Sequence, residues 1–229
     1  VAAINDDPTN AGSLPTDITV TEDVSSNVDL SSISLSDVDA ASGNLTVTLT
    51  TSTGGILTAT PLGGIIIGNN GSASITLNGT LANLNSYLST ASHITYLHGT
   101  ANTNGNDADT ITVKVNDNGN TGFGGGTDQT LGTVNVDITP VNDEEVLATN
   151  TGATVAEGSA SNVLSTAMLQ TTDIDNTALQ LIYTVDTNPA NGTLYRNGIA
   201  LSVNDTFTQA DIDLNLITYS HDGSQTSSD

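Results

Sequence analysis

A set of acidic and amide side chains recurs along this chain at near-constant spacing. Asn5-Asp6 returns as Asn142-Asp143, Glu22 as Glu157, and Asp37-Val38-Asp39 as Asp173-Ile174-Asp175, each 135 to 137 positions further on. All offer hard oxygen donors. Carboxylates gathered in one place repel by about 4 kcal/mol per pair at 4 Å in an effective dielectric near 20, and a divalent cation reverses that sign. Calcium suits such a set because it accepts about six to eight oxygens at roughly 2.3–2.6 Å in loose geometry, from side chains and carbonyls on separate loops. Magnesium asks for a stricter octahedron, and softer metals ask for His or Cys in the cluster. The ligands expected where one repeat hands over to the next are Asn142, Asp143, Glu157, Asp173 and Asp175, with Asp137 as a further candidate. The equivalent set Asn5, Asp6, Glu22, Asp37 and Asp39 is expected to face a preceding repeat. Asp-rich loops also make ordinary turns on an acidic surface, but ordinary turns need not recur at fixed offsets.

Other polar groups weigh differently. For Asp107, Asp109, Asn116, Asp117 and Asn118 two readings stand side by side, calcium ligands or turn formers, since Asn-Gly and Asp-Asn favour turns without any ion; Asp117 is carried as a candidate ligand. His98 and His221 each follow Ile-Thr-Tyr, and with no second catalytic group recurring beside them they read as strand-end histidines bonding nearby backbone. Gly122-Phe123-Gly124-Gly125-Gly126 lacks the Gly-Lys-Ser/Thr of a phosphate loop and reads as a flexible hairpin loop. Asn44, Asn70, Asn78, Asn191 and Asn204 begin Asn-x-Ser/Thr triplets, which arise freely in so Asn- and Thr-rich a chain. Glycoside hydrolysis by paired acids wants one carboxyl with a raised pKa in an apolar cleft, whereas these acids lie in polar loops, so no enzyme is expected.

Composition narrows the partners. The 229 residues hold 25 acidic and 2 basic side chains, a formal charge of −23, with no Cys. Nucleic acid and anionic lipid surfaces would repel such a chain. Disulfides, thiolate zinc and iron–sulfur chemistry are excluded. No apolar run reaches the roughly 18 residues of a membrane span, and the start Val1-Ala2-Ala3-Ile4-Asn5-Asp6 shows no basic region of a signal peptide. Val, Ile and Thr alternating with polar residues argue for folded β-sheet.

The recurring set therefore has to be held by β modules. Alternation predicts strands at residues 18–21, 45–51, 55–59, 65–67, 73–77, 94–98, 110–116 and 131–138, with turn residues between them. One short helix is expected at residues 81–88, with a counterpart at 209–214, and Arg196-Asn197-Gly198-Ile199 reads as a type I′ hairpin. Many short strands with turns between them point to an all-β tandem Greek-key sandwich. Residues 1–6 read as the tail of a preceding module and its linker, 7–142 as the first repeat and 143–229 as the second. Ile94-Thr95-Tyr96-Leu97-His98 returns as Ile217-Thr218-Tyr219-Ser220-His221 only 123 positions on, so the second repeat is shorter in its middle. It is also expected to lack strands equivalent to those ending the first.

The Asn-Asp linkers, the Glu after the first strand and the Asp-x-Asp loops resemble the cadherin-like tandem repeats of giant bacterial surface adhesins. Gly192-Thr193-Leu194, Phe207-Thr208-Gln209-Ala210-Asp211-Ile212 and Ile217-Thr218-Tyr219-Ser220-His221-Asp222-Gly223-Ser224 are similar to the chondroitin sulfate proteoglycan repeat over most of residues 143–229. Residues 81–88 and Val115-Asn116-Asp117-Asn118-Gly119 carry a looser likeness in the first repeat. The linker Asp143-Glu144-Glu145-Val146 departs from the Ala-Pro common in the family. The resemblance implies a secreted, extracellular, calcium-stiffened array at the cell surface, its partners the neighbouring repeats of the same chain. Two other roles fit the same composition: a carbohydrate- or protein-binding module, and a fibre subunit that polymerises by strand complementation.

Overall fold

A computed structural model describes residues 2–226 and 228. The chain divides into two compact units, Val1–Val141 and Asn142–Asp229.

Unit 1 contains β1 (Thr9–Asn10), β2 (Asp17–Thr21), β3 (Ser26–Asn27), β4 (Leu35–Ser36), β5 (Asn44–Thr51), β6 (Gly55–Ala59), β7 (Ile66–Gly68), β8 (Ser74–Thr80), α1 (Leu81–Leu88), β9 (Ile94–His98), β10 (Gly105–Asn116) and β11 (Gln129–Thr139). Six strands form one sheet in the order β2-β11-β10-β5-β8-β7, three form another in the order β3-β9-β6, and β1 pairs with β4. Alternation dictates what each strand buries. In β5 the residues Leu45, Val47 and Leu49 point inward and the intervening Thr residues outward; β10 does the same with Ile111, Val113 and Val115, and β11 with Val134, Val136 and Ile138. The core they share holds 26 buried side chains, among them Leu84, Tyr87 and Leu88 of α1. At about 25 cal/mol per Å² of apolar surface removed from water, a core of this kind dominates the stability of the unit.

Unit 2 contains β12 (Val146–Asn150), β13 (Asn162–Val163), β14 (Leu169–Thr172), β15 (Ile182–Thr184), β16 (Gly192–Arg196), β17 (Ile199–Ala200), β18 (Thr206–Thr208), α2 (Gln209–Asp213) and β19 (Ile217–His221). Its plan repeats that of unit 1. Gly192 pairs with His221 as Gly55 pairs with His98, and β13 lies on β19 as β3 lies on β9. Likewise β12 joins β14 as β1 joins β4, and β15 joins β18 as β5 joins β8. The β16–β17 hairpin turns at Asn197 and Gly198, both at positive φ, as an Asn-Gly turn of primed type demands. The fully buried cluster here is Val185, Phe207, Ile212 and Ile217, with five further apolar side chains half-buried against it.

Both units are β-rich, sandwich-like and carry one short α-helix each. The alternating strands lie where the sequence places them to within a few residues. The differences are β10, which starts at Gly105 through a register shift before Asp109, and the two-residue strands β1, β3 and β4. Such short strands leave no period to read.

Candidate cation site

The geometry begins with an Asp turn. Asp37, just after β4, accepts the backbone N–H of Asp39 at 3.0 Å and of Ala40 at 2.8 Å through Oδ1. This local closure swings Val38 outward, 83% exposed, and leaves both carboxylates on the inner side. Asp39 Oδ2 then accepts the N–H of Asp6 at 3.1 Å, drawing the leading segment of the unit onto the turn. Asp117 arrives from the end of β10. It is fully buried, and its Oδ1 accepts N–H from Gly119 at 3.0 Å and Gly126 at 3.1 Å.

These bonds use one oxygen of each carboxylate. Asp37 Oδ2, Asp39 Oδ1 and Asp117 Oδ2 remain buried with no hydrogen-bond partner, and so does Asn5 Oδ1. Ligand oxygens of Asp37, Asp39 and Asp117 all lie within 4.8 Å of one another. Burial pushes the Asp37 carboxyl up from its ordinary value, and the Asp39 carboxylate beside it adds to the rise. Burial acts the same way on Asp117, but the N–H groups of Gly119 and Gly126 and the Asn5 side chain outweigh it and hold its carboxyl down. Three carboxylates this close, each keeping one buried oxygen without a hydrogen-bond partner, are costly. A hard divalent cation is the group that this all-oxygen set fits.

A second grip holds the leading segment. The backbone of Phe123 donates its N–H to Ala3 O at 2.9 Å and accepts from Asn5 N at 3.4 Å. A Cβ on Gly122 would stand 2.5 Å from Asn5 N, and one on Gly125 would collide with the Asn5 carboxamide. Gly122-Phe123-Gly124-Gly125-Gly126, expected to be a flexible loop, is thus laid directly on Asn5. Thr121 donates its hydroxyl to Asp39 O beside it.

Unit 2 builds the same turn. Asp173 Oδ1 accepts the N–H of Asp175 and Asn176, each at 2.8 Å, and Asp175 Oδ2 accepts that of Asp143 at 2.7 Å. Asn142 donates to Asp143 O as Asn5 does to Asp6 O. Burial would raise the Asp173 carboxyl, yet the Asp175 and Asn176 donors hold it below its ordinary value. Among the described residues no third carboxylate gathers with Asp173 and Asp175.

The structure therefore brings together Asn5, Asp6, Asp37, Asp39 and Asp117 in unit 1, and Asn142, Asp143, Asp173 and Asp175 in unit 2. It does not bring Glu22, Glu157 or Asp137 to them. Glu22 is 1% exposed and is taken up by Asn104 Nδ2 and Val141 N, each at 2.9 Å. Asn104 precedes β10 and Asp117 follows it; at about 3.3 Å per residue, twelve residues put roughly 35–40 Å between the two ends. The expectation that Glu22 and the Asp-x-Asp share one end of the sandwich is corrected, because β2 carries the chain away from its start. Glu157 is exposed and receives the Gln225 side-chain amide. Asp137 accepts Asp107 N at 2.8 Å and forms a separate, largely exposed group with Asp17 and Asp107.

Asp109 serves the fold. Its Oδ1 accepts from Ser52 N, Ser52 Oγ, Thr53 N and Thr110 N, and its Oδ2 from Gly55 N and Tyr96 OH, all at 2.7–3.0 Å. Burial would raise its pKa, but these donors bring it to about 2. His98 and His221 both bond backbone near their strand ends, at Thr100 and at Gly158 and Gly223.

Comparison with known proteins bears on both units. Residues 146–229, most of unit 2, match the cadherin-like family model. The human FRAS1-related extracellular matrix protein 1 is 28% identical over 144 residues, 61% of this chain and 6% of that protein. Human chondroitin sulfate proteoglycan 4 is 37% identical over 89 residues, 38% of this chain and 4% of that protein. The human extracellular matrix organizing protein FRAS1 is 32% identical over 106 residues, 45% of this chain and 3% of that protein. The chain thus spans 6% or less of each of these relatives.

Proposed function

We propose that this chain is a calcium-stiffened structural segment of a secreted, extracellular tandem-repeat protein, an adhesin or surface fibre, with a mechanical rather than a catalytic role. The observation that carries the reading is the gathering of the Asp37, Asp39 and Asp117 carboxylates within 4.8 Å of one another, with Asp37 Oδ2, Asp39 Oδ1, Asp117 Oδ2 and the neighbouring Asn5 Oδ1 all buried without a hydrogen-bond partner. An ion among them would join the leading segment to the loop after β4 and to the end of β10. Without it, the three carboxylates push apart and the leading segment keeps only its backbone bonds. In a tandem array this difference limits the swing of the stretch that leads into each repeat. The extracellular matrix names of the relatives support the compartment, and extracellular calcium modules work at about 10⁻⁴–10⁻³ M.

Calcium titration by calorimetry and thermal melting test it. At a calcium level some 50–100-fold above Kd the folded state gains about 2–3 kcal/mol, read as a rise in Tm. The double variant Asp37→Asn with Asp117→Asn loses that rise. Absence of heat and of any Tm shift at 10 mM calcium in the unaltered chain, a level roughly tenfold above the weakest affinity of such modules, refutes the reading.

A further inference from the structure

Asp117 and Asn5 are 112 positions apart in sequence, yet one loop ties both of them to the same place. The loop begins and ends on Asp117, whose Oδ1 takes the N–H of Gly119 and of Gly126. Its middle lies on the leading segment through the two backbone bonds of Phe123 to Ala3 and Asn5. The remaining oxygens, Asp117 Oδ2 and Asn5 Oδ1, are buried without a hydrogen-bond partner, and the Asn5 side chain bonds Asp117 itself. The circuit therefore runs from the cluster through Asp117, the loop and Asn5 back to the cluster. Two glycines permit it. Gly122 and Gly125 lie at φ +110° and +81°, and a Cβ on either would overlap Asn5. Gly124 sits between them at φ +95° with nothing within 4 Å of where its Cβ would stand.

We propose that Gly122, Phe123 and Gly125 form a clasp that positions Asn5 as a calcium ligand, so that the glycine-rich loop sets the affinity of the site without touching the ion. The clasp rests on the cation reading above. Asn5 belongs to a stretch with no strand of its own between residues 2 and 8, and apart from the loop its carboxamide is held by Nδ2 donating to Asp6 O at 3.2 Å and by its bond to Asp117. Without the loop, those bonds would leave the carboxamide to be ordered more at the moment of binding, at a cost in side-chain entropy. Groups that orient a ligand from behind in this way typically shift metal affinity by about 10- to 100-fold when altered.

The three glycines supply their own control. Gly124→Ala imposes the strain of a positive φ on an alanine while leaving Asn5 untouched. Gly125→Ala and Gly122→Ala impose the same strain and also drive a methyl group into Asn5. Calcium Kd is measured by calorimetry on the full 229-residue chain and on each variant, beside Tm in EDTA. Gly122→Ala and Gly125→Ala are expected to weaken calcium binding by about tenfold, with Gly124→Ala within about twofold of the unaltered chain and all Tm values in EDTA close together. In the unaltered chain, the amides of Asn5 and Phe123 are expected to exchange more slowly when calcium is added. Equal Kd values for Gly124→Ala and Gly125→Ala overturn the clasp and leave the cation site standing, as do calcium-insensitive Asn5 and Phe123 amides. No calcium binding by the unaltered chain overturns the cation site and the clasp together.

Discussion

Both units open on the same turn, yet among the described residues only unit 1 surrounds it with a third carboxylate. Asp37 and Asp173 close on the residues that follow by equivalent bonds, and Asp39 and Asp175 receive Asp6 and Asp143 in the same manner. The difference lies in what stands behind the turn. In unit 1, β10 pairs along β5 from Ile111 to Asn116 and delivers Asp117 to the cluster. In unit 2, β15 pairs with β18, and among the described residues no strand pairs along its other edge. A local motif can thus copy itself through a few side-chain bonds to backbone, whereas a buried third carboxylate needs a long strand anchored in a core. Turn and core are separable, and substitutions at equivalent places measure how far.

The largest contrast is expected at Leu57 and Leu194, which occupy the same position in β6 and β16 opposite Tyr96 and Tyr219. Leu57 is fully buried and Leu194 is half-buried. Leu57→Ala leaves a cavity among close-packed neighbours and should cost about 3 kcal/mol, within the usual 2–5 for buried leucine. Leu194→Ala should cost about 1 kcal/mol, because less of the side chain leaves water on folding. Chemical denaturation followed by amide exchange assigns each loss to its unit. Equal losses would dissolve the contrast.

Asp109 gives the next effect. Its donors lie on the turn between β5 and β6, on Thr110 and on Tyr96, so it fastens the start of β10 to the rest of unit 1. Its pKa is about 2 against an ordinary 3.8, a preference for the charged form worth about 2 kcal/mol above that ordinary value. Because the folded value is the lower one, the stabilisation is complete above pH 5 and is lost as pH falls through 4 toward 2. In unit 2 the corresponding tyrosine, Tyr219, donates to Asn191 O, a carbonyl that does not titrate. Acid titration followed by NMR should therefore loosen unit 1 around Ser52, Thr53 and Tyr96 over that window. Asp109→Asn should cost about 2 kcal/mol at pH 7 and flatten the profile. A profile unchanged by Asp109→Asn would sink this account.

How much of this is legible in the sequence follows from how local each cause is. The helix at residues 81–88 and the alternation of β5 and β10 are short-range patterns, and they are found where read. The Asp-x-Asp turns and their Asn-Asp partners are legible because they repeat. Asp117 carries two readings in the sequence, turn former and ligand; its Oδ1 closes the turn to Gly119, and its carboxylate lies within 4.8 Å of those of Asp37 and Asp39. Nothing near position 117 signals this gathering, since its companions lie some 80 and 110 residues earlier. The glycine loop likewise betrays its target only in three dimensions. Glu22 lies apart from the cluster because a two-residue strand, β1, with no period to read, starts the unit before β2 carries the chain to the opposite end.

The smallest contrast lies in the helix caps, and it runs against the others by favouring unit 2. Thr80 accepts Asn83 N at 3.3 Å, a one-way cap on an eight-residue helix whose Leu84, Tyr87 and Leu88 are buried. Thr208 is one half of a reciprocal capping box: it accepts Asp211 N at 3.2 Å, while Asp211 Oδ2 accepts Thr208 N at 2.8 Å and Arg196 Nε at 3.0 Å. Burial would raise the Asp211 carboxyl, but Thr208 and the Arg196 guanidinium hold it below its ordinary value. A five-residue helix gains little from its own backbone bonds, so α2 leans on this box more than α1 leans on Thr80. Thr208→Ala is expected to cost about 1 kcal/mol and Thr80→Ala about 0.5 kcal/mol, both within the usual range for caps. Amide exchange at Asp211 and Asn83 reads each cap separately. A larger loss at Thr80 would mean that packing, rather than capping, sets the stability of both helices.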